Sequence, residues 1–336
     1  MNVLKSPSVT IVSVFYNRQG YIEKSVSSLL EQTYENIRII LVDDGSTDNT
    51  YSELSRFCSE SVEVVTHENM GFTKSIASIL SGVNSDYIAI HGSGDISYAD
   101  RVRKQVCALE RDREALLCGV ASYNLHHETF DRIDLQSFPR ERVFVNDFFK
   151  GTPFTHGSVL YRTVAYKKHG GYDPRFVYSQ DWDLWLRMLK DGSYALFIPE
   201  VLYSRINFPS GASNSAKKSV SQFLHVKAIH YLYQNPSVDR SWFLKEGITL
   251  EIFSDDKNLK NELAAGLSRR ALRLSVNGMK SESSDLIEYI HELGLSPRLM
   301  DIYLIYVFDF MGRLGISGLK LSSLLRKIVN LIRYWR

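Results

Sequence analysis

Two adjacent carboxylates, Asp43 and Asp44, close the apolar run "IRIILV" and lead into a Gly-Ser turn. Acids so placed can accept hydrogen bonds from a nucleobase N–H or from ribose hydroxyls, while one of them can equally cap a following helix. Phe15, Tyr16 and Asn17 end another β-branched run. An aromatic there can wall a flat ligand or pack in the core, and Asn17 is the better polar contact. Asn69, Gly71 and Lys74 lie in "NMGFTKS". The glycine permits close backbone approach, and Lys74 can face a phosphate near a helix N-terminus or simply be solvated. A last apolar run, "YIAI", delivers Gly92-Ser93-Gly94-Asp95, a lone carboxylate past two glycines.

These residues need a scaffold. Residues 9–15, 37–42, 62–65 and 87–90 read as buried strands. Between them fall helical patterns: Ile22, Val26, Leu29 and Leu30; Tyr51, Leu54 and Phe57, with Ser46 or Thr47 as the cap; and residues 73–81. Strands separated by helices imply an α/β fold, a mostly parallel sheet with helices on both faces. Such sheets bind ligands at the carboxyl ends of their strands, where Asn17, Asp43, Asp44, Asn69 and Asp95 all fall. Residues 102–150 hold a helix and mixed strands, and strands at 154–162 and 194–205 flank a helix in "SQDWDLWLRMLKDG". After Ser213 the periodicity is helical, over 217–234, 257–275, 281–293 and 318–336. The turn-rich "NFPSGASNSAKK" therefore divides the chain into domains 1–215 and 216–336.

The 336 residues carry 40 basic and 38 acidic side chains, so no global basic field points to nucleic acid. Cys58, Cys107 and Cys118 lack metal-ligand spacing and read as reduced thiols, which suits a cytoplasmic protein. The N-terminal segment has no signal-peptide pattern, and the apolar block at 302–308 is too short to span a bilayer.

From Val12 to Arg205 the chain resembles the family-two glycosyltransferases, which adopt the nucleotide-sugar-binding GT-A fold. The resemblance is carried by "VSVFYNRQGYIEKSVSSLLEQTYENIRIILVDDGSTDNT", "NMGFTKSI", "YIAIHGSGDISYADR", "GSVLYR", "GGYDPRF", "SQDWDLWLRM" and "IPEVLYSR". It implies that Phe15, Tyr16, Asn17, Asp43, Asp44, Asn69, Gly71 and Lys74 hold the nucleotide, with one acid of the Asp43–Asp44 pair as ligand and the other structural. The family carries its general base in an acid-Asp pair opening a helix, and Asp181 falls on that aspartate, with Gln180 in place of the preceding glutamate. Asp183 reads as a structural acid. His156 and Trp182 fall on the acceptor side, where each has an ordinary packing role as its alternative. Arg205 matches a family arginine beside the diphosphate, with a salt bridge as its alternative.

The family's D-x-D-D motif is eroded. The aspartate that holds a divalent cation is Gly94 here, and only the following acid, Asp95, remains. Three outcomes stand open: Asp95 with water and diphosphate oxygens holds Mg²⁺ or Mn²⁺; transfer proceeds without metal, with Lys74, Arg205 or His91 offsetting charge; or catalysis is lost and a nucleotide-sugar-binding module remains. The expectation adopted is the first. It belongs to an inverting enzyme that moves a sugar from a UDP-linked donor to a lipid-linked or oligosaccharide acceptor in surface-polysaccharide synthesis. A nucleotidyltransferase would show a Gly-rich, basic signature near the N-terminus, and none stands there.

From Arg313 onward there are six basic residues and no acidic one. Leu321, Leu324, Leu325, Ile328, Ile332 and Trp335 form an apolar stripe at helical spacing. Such a helix can dock on the inner face of an anionic membrane, or pack on the helical domain or on a second subunit.

Overall fold

The computed structural model describes residues 6–208, 216–245, 247–249, 258–276 and 279–313. The chain divides into two compact units, Met1–Phe208 and Pro209–Arg336.

The first unit runs β1 (Val9–Phe15), α1 (Ile22–Leu30), β2 (Ile37–Asp44), α2 (Thr50–Ser55), β3 (Val62–His67), α3 (Phe72–Ser81), β4 (Tyr87–Gly92), β5 (Ile96–Ser97), α4 (Arg101–Arg111), β6 (Leu117–His126), β7 (Arg132–Gln136), β8 (Arg142–Phe144), α5 (Val145–Phe148), β9 (Leu160–Arg162), α6 (Thr163–Lys168), α7 (Gln180–Met188) and β10 (Tyr194–Asn207). One ten-stranded sheet has the order β3-β2-β1-β4-β9-β6-β10-β5, with β7 beside β6 and β8 beside β10. β3, β2, β1 and β4 pair in parallel, as do β6 and β10, while β9, β5, β7 and β8 are antiparallel to their neighbours.

β1 is buried along its whole length because parallel strands are covered on both faces. Ile22, Val26 and Leu29 place α1 on the same core as Ile11, Leu41 and Val106. The chain winds from β1 outward to β3, then returns to set β4 on the other side of β1. This reversal makes the β1–β4 gap a topological switch point, the place where sheets of this kind bind ligands at the carboxyl ends of their strands.

Two local expectations change. Asp43 and Asp44 do not follow β2 but belong to it, because the ladder continues through Asp43 opposite Thr66 and Asp44 opposite His67. Ser46 and Thr47 do not cap α2. They bind the loop after β1, and the helix starts later, with the Asp48 carboxylate accepting from Thr50 N at 2.9 Å.

β10 bulges between Ile198 and Val201, around Pro199, a residue that cannot donate to a ladder. Its distal half then carries Tyr203, Arg205 and, just beyond it, Phe208 back to the turn that follows β4.

The second unit contains α8 (Ala216–Gln234), α9 (Arg240–Phe243), α10 (Leu259–Val276), α11 (Lys280–Glu292) and α12 (Leu299–Arg313). Its core gathers Val220, Leu224, Leu263, Leu267, Ala271, Leu286 and Ile290. The expected helix over 318–336 lies outside the described residues. Among the described residues no helix is long and apolar enough to cross a membrane.

Candidate active site

Three strand ends are tied together by side chains that the sequence singled out. Asn17 has a left-handed backbone, φ 49°. Its Oδ1 accepts from Thr47 N at 2.9 Å, and its own N–H donates to Ser46 Oγ at 3.0 Å, which pins the end of β1 to the end of β2. Asp43 accepts from Thr66 Oγ1 at 2.9 Å and from Ser46 N at 3.3 Å. Asp44 accepts from Met70 N at 2.9 Å, and Asn69 Nδ2 donates to the Asp44 carbonyl at 2.8 Å. Both acids are 2% exposed. Gly45, at φ +67°, lets the Asn69 backbone approach so closely that a Cβ would overlap its amide nitrogen. The aspartates thus shape this end of the sheet through their own hydrogen bonds.

Phe15, expected to wall a base, packs instead in the core with Ile11, Ile22 and Val26 and has no exposed surface. Tyr16, just past the end of β1, is 46% exposed. Gly71, at φ +85°, precedes the first turn of α3, and Lys74 is exposed on that turn.

The turn after β4 is built around Asp95. Its Oδ2 accepts from the Tyr203 hydroxyl at 2.6 Å and its Oδ1 from Ile206 N at 2.8 Å. The Tyr203 oxygen in turn accepts from Gly92 N at 2.9 Å. A Cβ on Gly92 would overlap Asp95 Oδ2, so the first glycine makes room for the carboxylate. At Gly94, φ +87°, a Cβ would lie 2.7 Å from the Phe208 ring. The second glycine makes room for that ring, and the space a metal-binding aspartate would use is filled by an aromatic.

A divalent cation does not fit these residues. Both oxygens of Asp95 are engaged by buried donors, its residual exposure is 7%, and burial raises its pKa against the opposing pull of Tyr203, Ile206, Arg205 and Arg18. Hard cations need several accessible oxygens. Among the described residues no cluster of three His, Cys, Asp or Glu side chains could hold a metal ion. Asp95, expected to face the sugar-diphosphate, is turned inward to stitch β4 to β10.

His91 is likewise not a cation at the site. Its ring is wholly buried, and burial beside Arg101 pushes its pKa down to about 3. Nε2 lies 3.1 Å from the Asp95 carbonyl and 3.0 Å from Ser25 Oγ. A carbonyl only accepts, so the proton is on Nε2. Arg101, also buried, donates to the carbonyls of Ile90 and Gly157 at 3.1 and 2.7 Å.

Asp181 sits in the first turn of α7, half-buried, with Oδ1 accepting from Trp182 N at 2.9 Å. The residue before the helix, Ser179, holds a left-handed φ of 55°, a strained choice for a serine. His156 Nε2 pairs with the Tyr172 hydroxyl at 2.6 Å, burial lowers its pKa, and the charge of Asp181 opposes that shift. The His156 ring meets Phe72 at 5.7 Å between centroids, and Thr73 Oγ1 donates to the Phe176 carbonyl. These contacts bring the His156 turn and the segment that leads into α7 to the start of α3. Trp182 packs edge-on to Phe148, Trp185 is fully buried with Nε1 on the Tyr161 hydroxyl, and Asp183 pairs with Arg187 at 2.7 Å. Arg205 is half-buried on β10 within electrostatic reach of Asp95.

Sequence reasoning missed Arg18, Tyr203 and Phe208. Tyr203 and Phe208 come from a strand more than a hundred residues beyond β4, and the only signal for them was the pair of glycines whose missing side chains they replace. Arg18 stood beside Asn17 in a loop where a basic side chain ordinarily means solvent.

A doubly wound sheet with polar residues gathered at the carboxyl ends of its central strands has the GT-A architecture of glycosyltransferases. The family model "Glycosyl transferase family 2" matches residues 10–170. The putative glycosyltransferase EpsE of Bacillus subtilis is 31% identical over 209 residues, 59% of this chain and 72% of that protein. The Escherichia coli UDP-Glc:alpha-D-GlcNAc-diphosphoundecaprenol beta-1,3-glucosyltransferase WfgD is 25% identical over 211 residues, 62% of this chain and 80% of that one. Among solved structures, GalNAc-T7 with UDP, GalNAc and Mn²⁺ superposes with a TM-score of 0.55 at 13% identity, over 69% of this chain and 50% of that one. The chain belongs to glycosyl transferase family 2 and is a glycosyltransferase.

Proposed function

We propose that this enzyme transfers a sugar from a UDP-linked donor to a lipid-linked or oligosaccharide acceptor in bacterial surface-polysaccharide synthesis, with inversion at the anomeric carbon. This reading is supported by the joining of the strand ends that bear Asn17, Asp43, Asp44 and Asn69, and by the contacts of the start of α3, through Phe72 and Thr73, with His156 and the Phe176 carbonyl. WfgD, named for a UDP-Glc donor and a diphosphoundecaprenol acceptor, supports the choice of both substrates.

In this reading Tyr16 lies along the base, and Asn17 with the Asp43–Asp44 edge lines the nucleoside side. Gly71 and Lys74 flank the phosphates at the start of α3. Asp181 takes the proton from the acceptor hydroxyl, the acceptor oxygen bonds to the anomeric carbon, and the nucleoside diphosphate leaves with the electron pair of the broken bond. His156, neutral by burial, and Trp182 border the acceptor.

Relatives of this fold can hold a divalent cation, as the Mn²⁺ complex of GalNAc-T7 shows for that protein. The residues of this chain do not furnish the ligands for one. The test is turnover of UDP-glucose, UDP-N-acetylglucosamine and UDP-galactose by the full chain and by Asp181→Asn. Wild type is expected to release UDP, and the variant to lose about 10²–10⁴-fold in rate with donor binding retained. Donor binding with no turnover in either form would instead identify a silent binding module, and equal turnover in both would remove Asp181 as the base.

Residues 216–336 form a helical domain in this reading. The apolar stripe and basic residues of the C-terminal segment, with Leu299, Tyr303, Tyr306 and Phe310 exposed on α12, support attachment to the cytoplasmic membrane surface.

A further inference from the structure

The geometry points to Arg18 as a built-in cation for the donor's diphosphate, doing in this chain the work that a divalent metal does beside an intact D-x-D. The inference rests on the nucleotide-sugar reading above and goes beyond it by naming what holds the leaving group.

Arg18 follows Asn17 in the loop that leaves β1. β1 and β4 are parallel neighbours, with Val14 opposite Gly92, so this loop and the Gly92–Asp95 turn leave the sheet side by side at the same end. The Arg18 guanidinium lies 4.5 Å from the centroid of Phe208, the ring that fills the space of a side chain at position 94. Tyr21 supports that ring edge-on at 4.7 Å. The cation therefore stands on the group that replaced the metal-binding acid.

Its hydrogen-bonding state suits a phosphate. Nη1 donates to the Asn17 carbonyl at 3.1 Å, while Nε is buried without a partner. Arg18 forms no ion pair among the described residues. Burial lowers its pKa, opposed by the charges of Asp95 and Asp48, so the site holds a partly desolvated positive charge. A planar guanidinium keeps that charge at any ordinary pH and offers paired donors to phosphate oxygens. The other basic groups are less suited: His91 is buried and neutral, and Lys74 is an exposed lysine on α3. Arg205, on β10, adds positive charge near Asp95.

When the bond from the anomeric carbon to the diphosphate oxygen breaks, its electron pair stays on that oxygen. The Arg18 N–H groups stabilise the charge there, and the acceptor's proton goes to Asp181. No second cation is needed for charge or atom balance.

Isothermal titration of the full chain with UDP and with uridine, in EDTA and in Mn²⁺, tests the assignment. UDP is expected to bind wild type equally in both conditions. Arg18→Ala and Arg18→Gln should each weaken UDP about tenfold or more, leave uridine unchanged and leave the melting temperature near wild type. The glutamine variant keeps apolar contact with Phe208 without the charge, so it carries the comparison if the alanine variant fails to fold. UDP binding that disappears in EDTA, returns with Mn²⁺ and is indifferent to residue 18 would overturn the assignment and leave the donor reading standing. Failure of UDP, GDP and dTDP alike to bind wild type in either condition would overturn both.

Discussion

His91 carries a proton balance that reaches beyond its own contacts. Its folded pKa of about 3 lies below the ordinary 6.5, because burial beside Arg101 penalises the imidazolium. The unfolded chain therefore binds more protons than the folded one between those values. Stability from this group is complete above about pH 6.5 and is lost as pH falls toward 3, at about 1.4 kcal/mol per pH unit. His91→Gln removes that titration, and thermal melts from pH 7 to pH 4 should show a shallower fall in Tm than wild type. An identical slope in the two proteins would refute the assignment. Asp95 has the opposite sign, since burial raises its pKa and its charge disfavours the folded state above that value. Its two accepted hydrogen bonds offset that cost.

At the scale of elements, the turn from β4 to β5 is a joint between two distant parts of the chain. Tyr203 reaches it from β10, accepts from Gly92 and donates to Asp95, and β5 pairs with β10 through Ile96 and Ser97. The two glycines are steric requirements of that joint. Gly92→Ala would drive a methyl group into Asp95 Oδ2, which cannot retreat without breaking its bonds to Tyr203 and Ile206. We expect a loss of about 1–3 kcal/mol, read as a lower urea midpoint at an unchanged m-value. Gly92 does not have a positive φ, so its loss is steric alone, whereas alanine at exposed Gly20, at φ +81°, meets no neighbouring atom and carries only the backbone cost. The helices were legible before the joint was. Apolar spacing located α1, α3 and α7, whereas Tyr203 and Phe208 meet Gly92 and Gly94 only because β10 bulges at Pro199 and runs back beside β5.

For the whole molecule, each unit has its own core, the first around the sheet and the second among α8, α10 and α11. The basic segment beyond Arg313, with its apolar stripe, lies outside the described residues, and its role is tested on the intact protein. Co-sedimentation with vesicles containing about a third phosphatidylglycerol should retain the full chain and release a form ending at residue 313, with high salt weakening the retention. Equal sedimentation of both forms would assign the segment another role. UDP-sugar turnover in free solution serves as the control that the shortened form is folded.

The sequence by itself determined the strand–helix alternation, the parallel sheet, the carboxylates at its strand ends and the family that carries them, because periodicity and turn residues act over a few neighbours. It also exposed the missing acid at Gly94. Only the tertiary structure decided which way each of these groups faces. Phe15 turned into the core, Asp43, Asp44 and Asp95 spent their oxygens on neighbouring strands, and Phe208 arrived from beyond β10 to fill the vacated space beneath Arg18. The reason is physical: a buried carboxylate must find donors wherever the folded chain supplies them, and that supply is set by contacts a hundred residues apart.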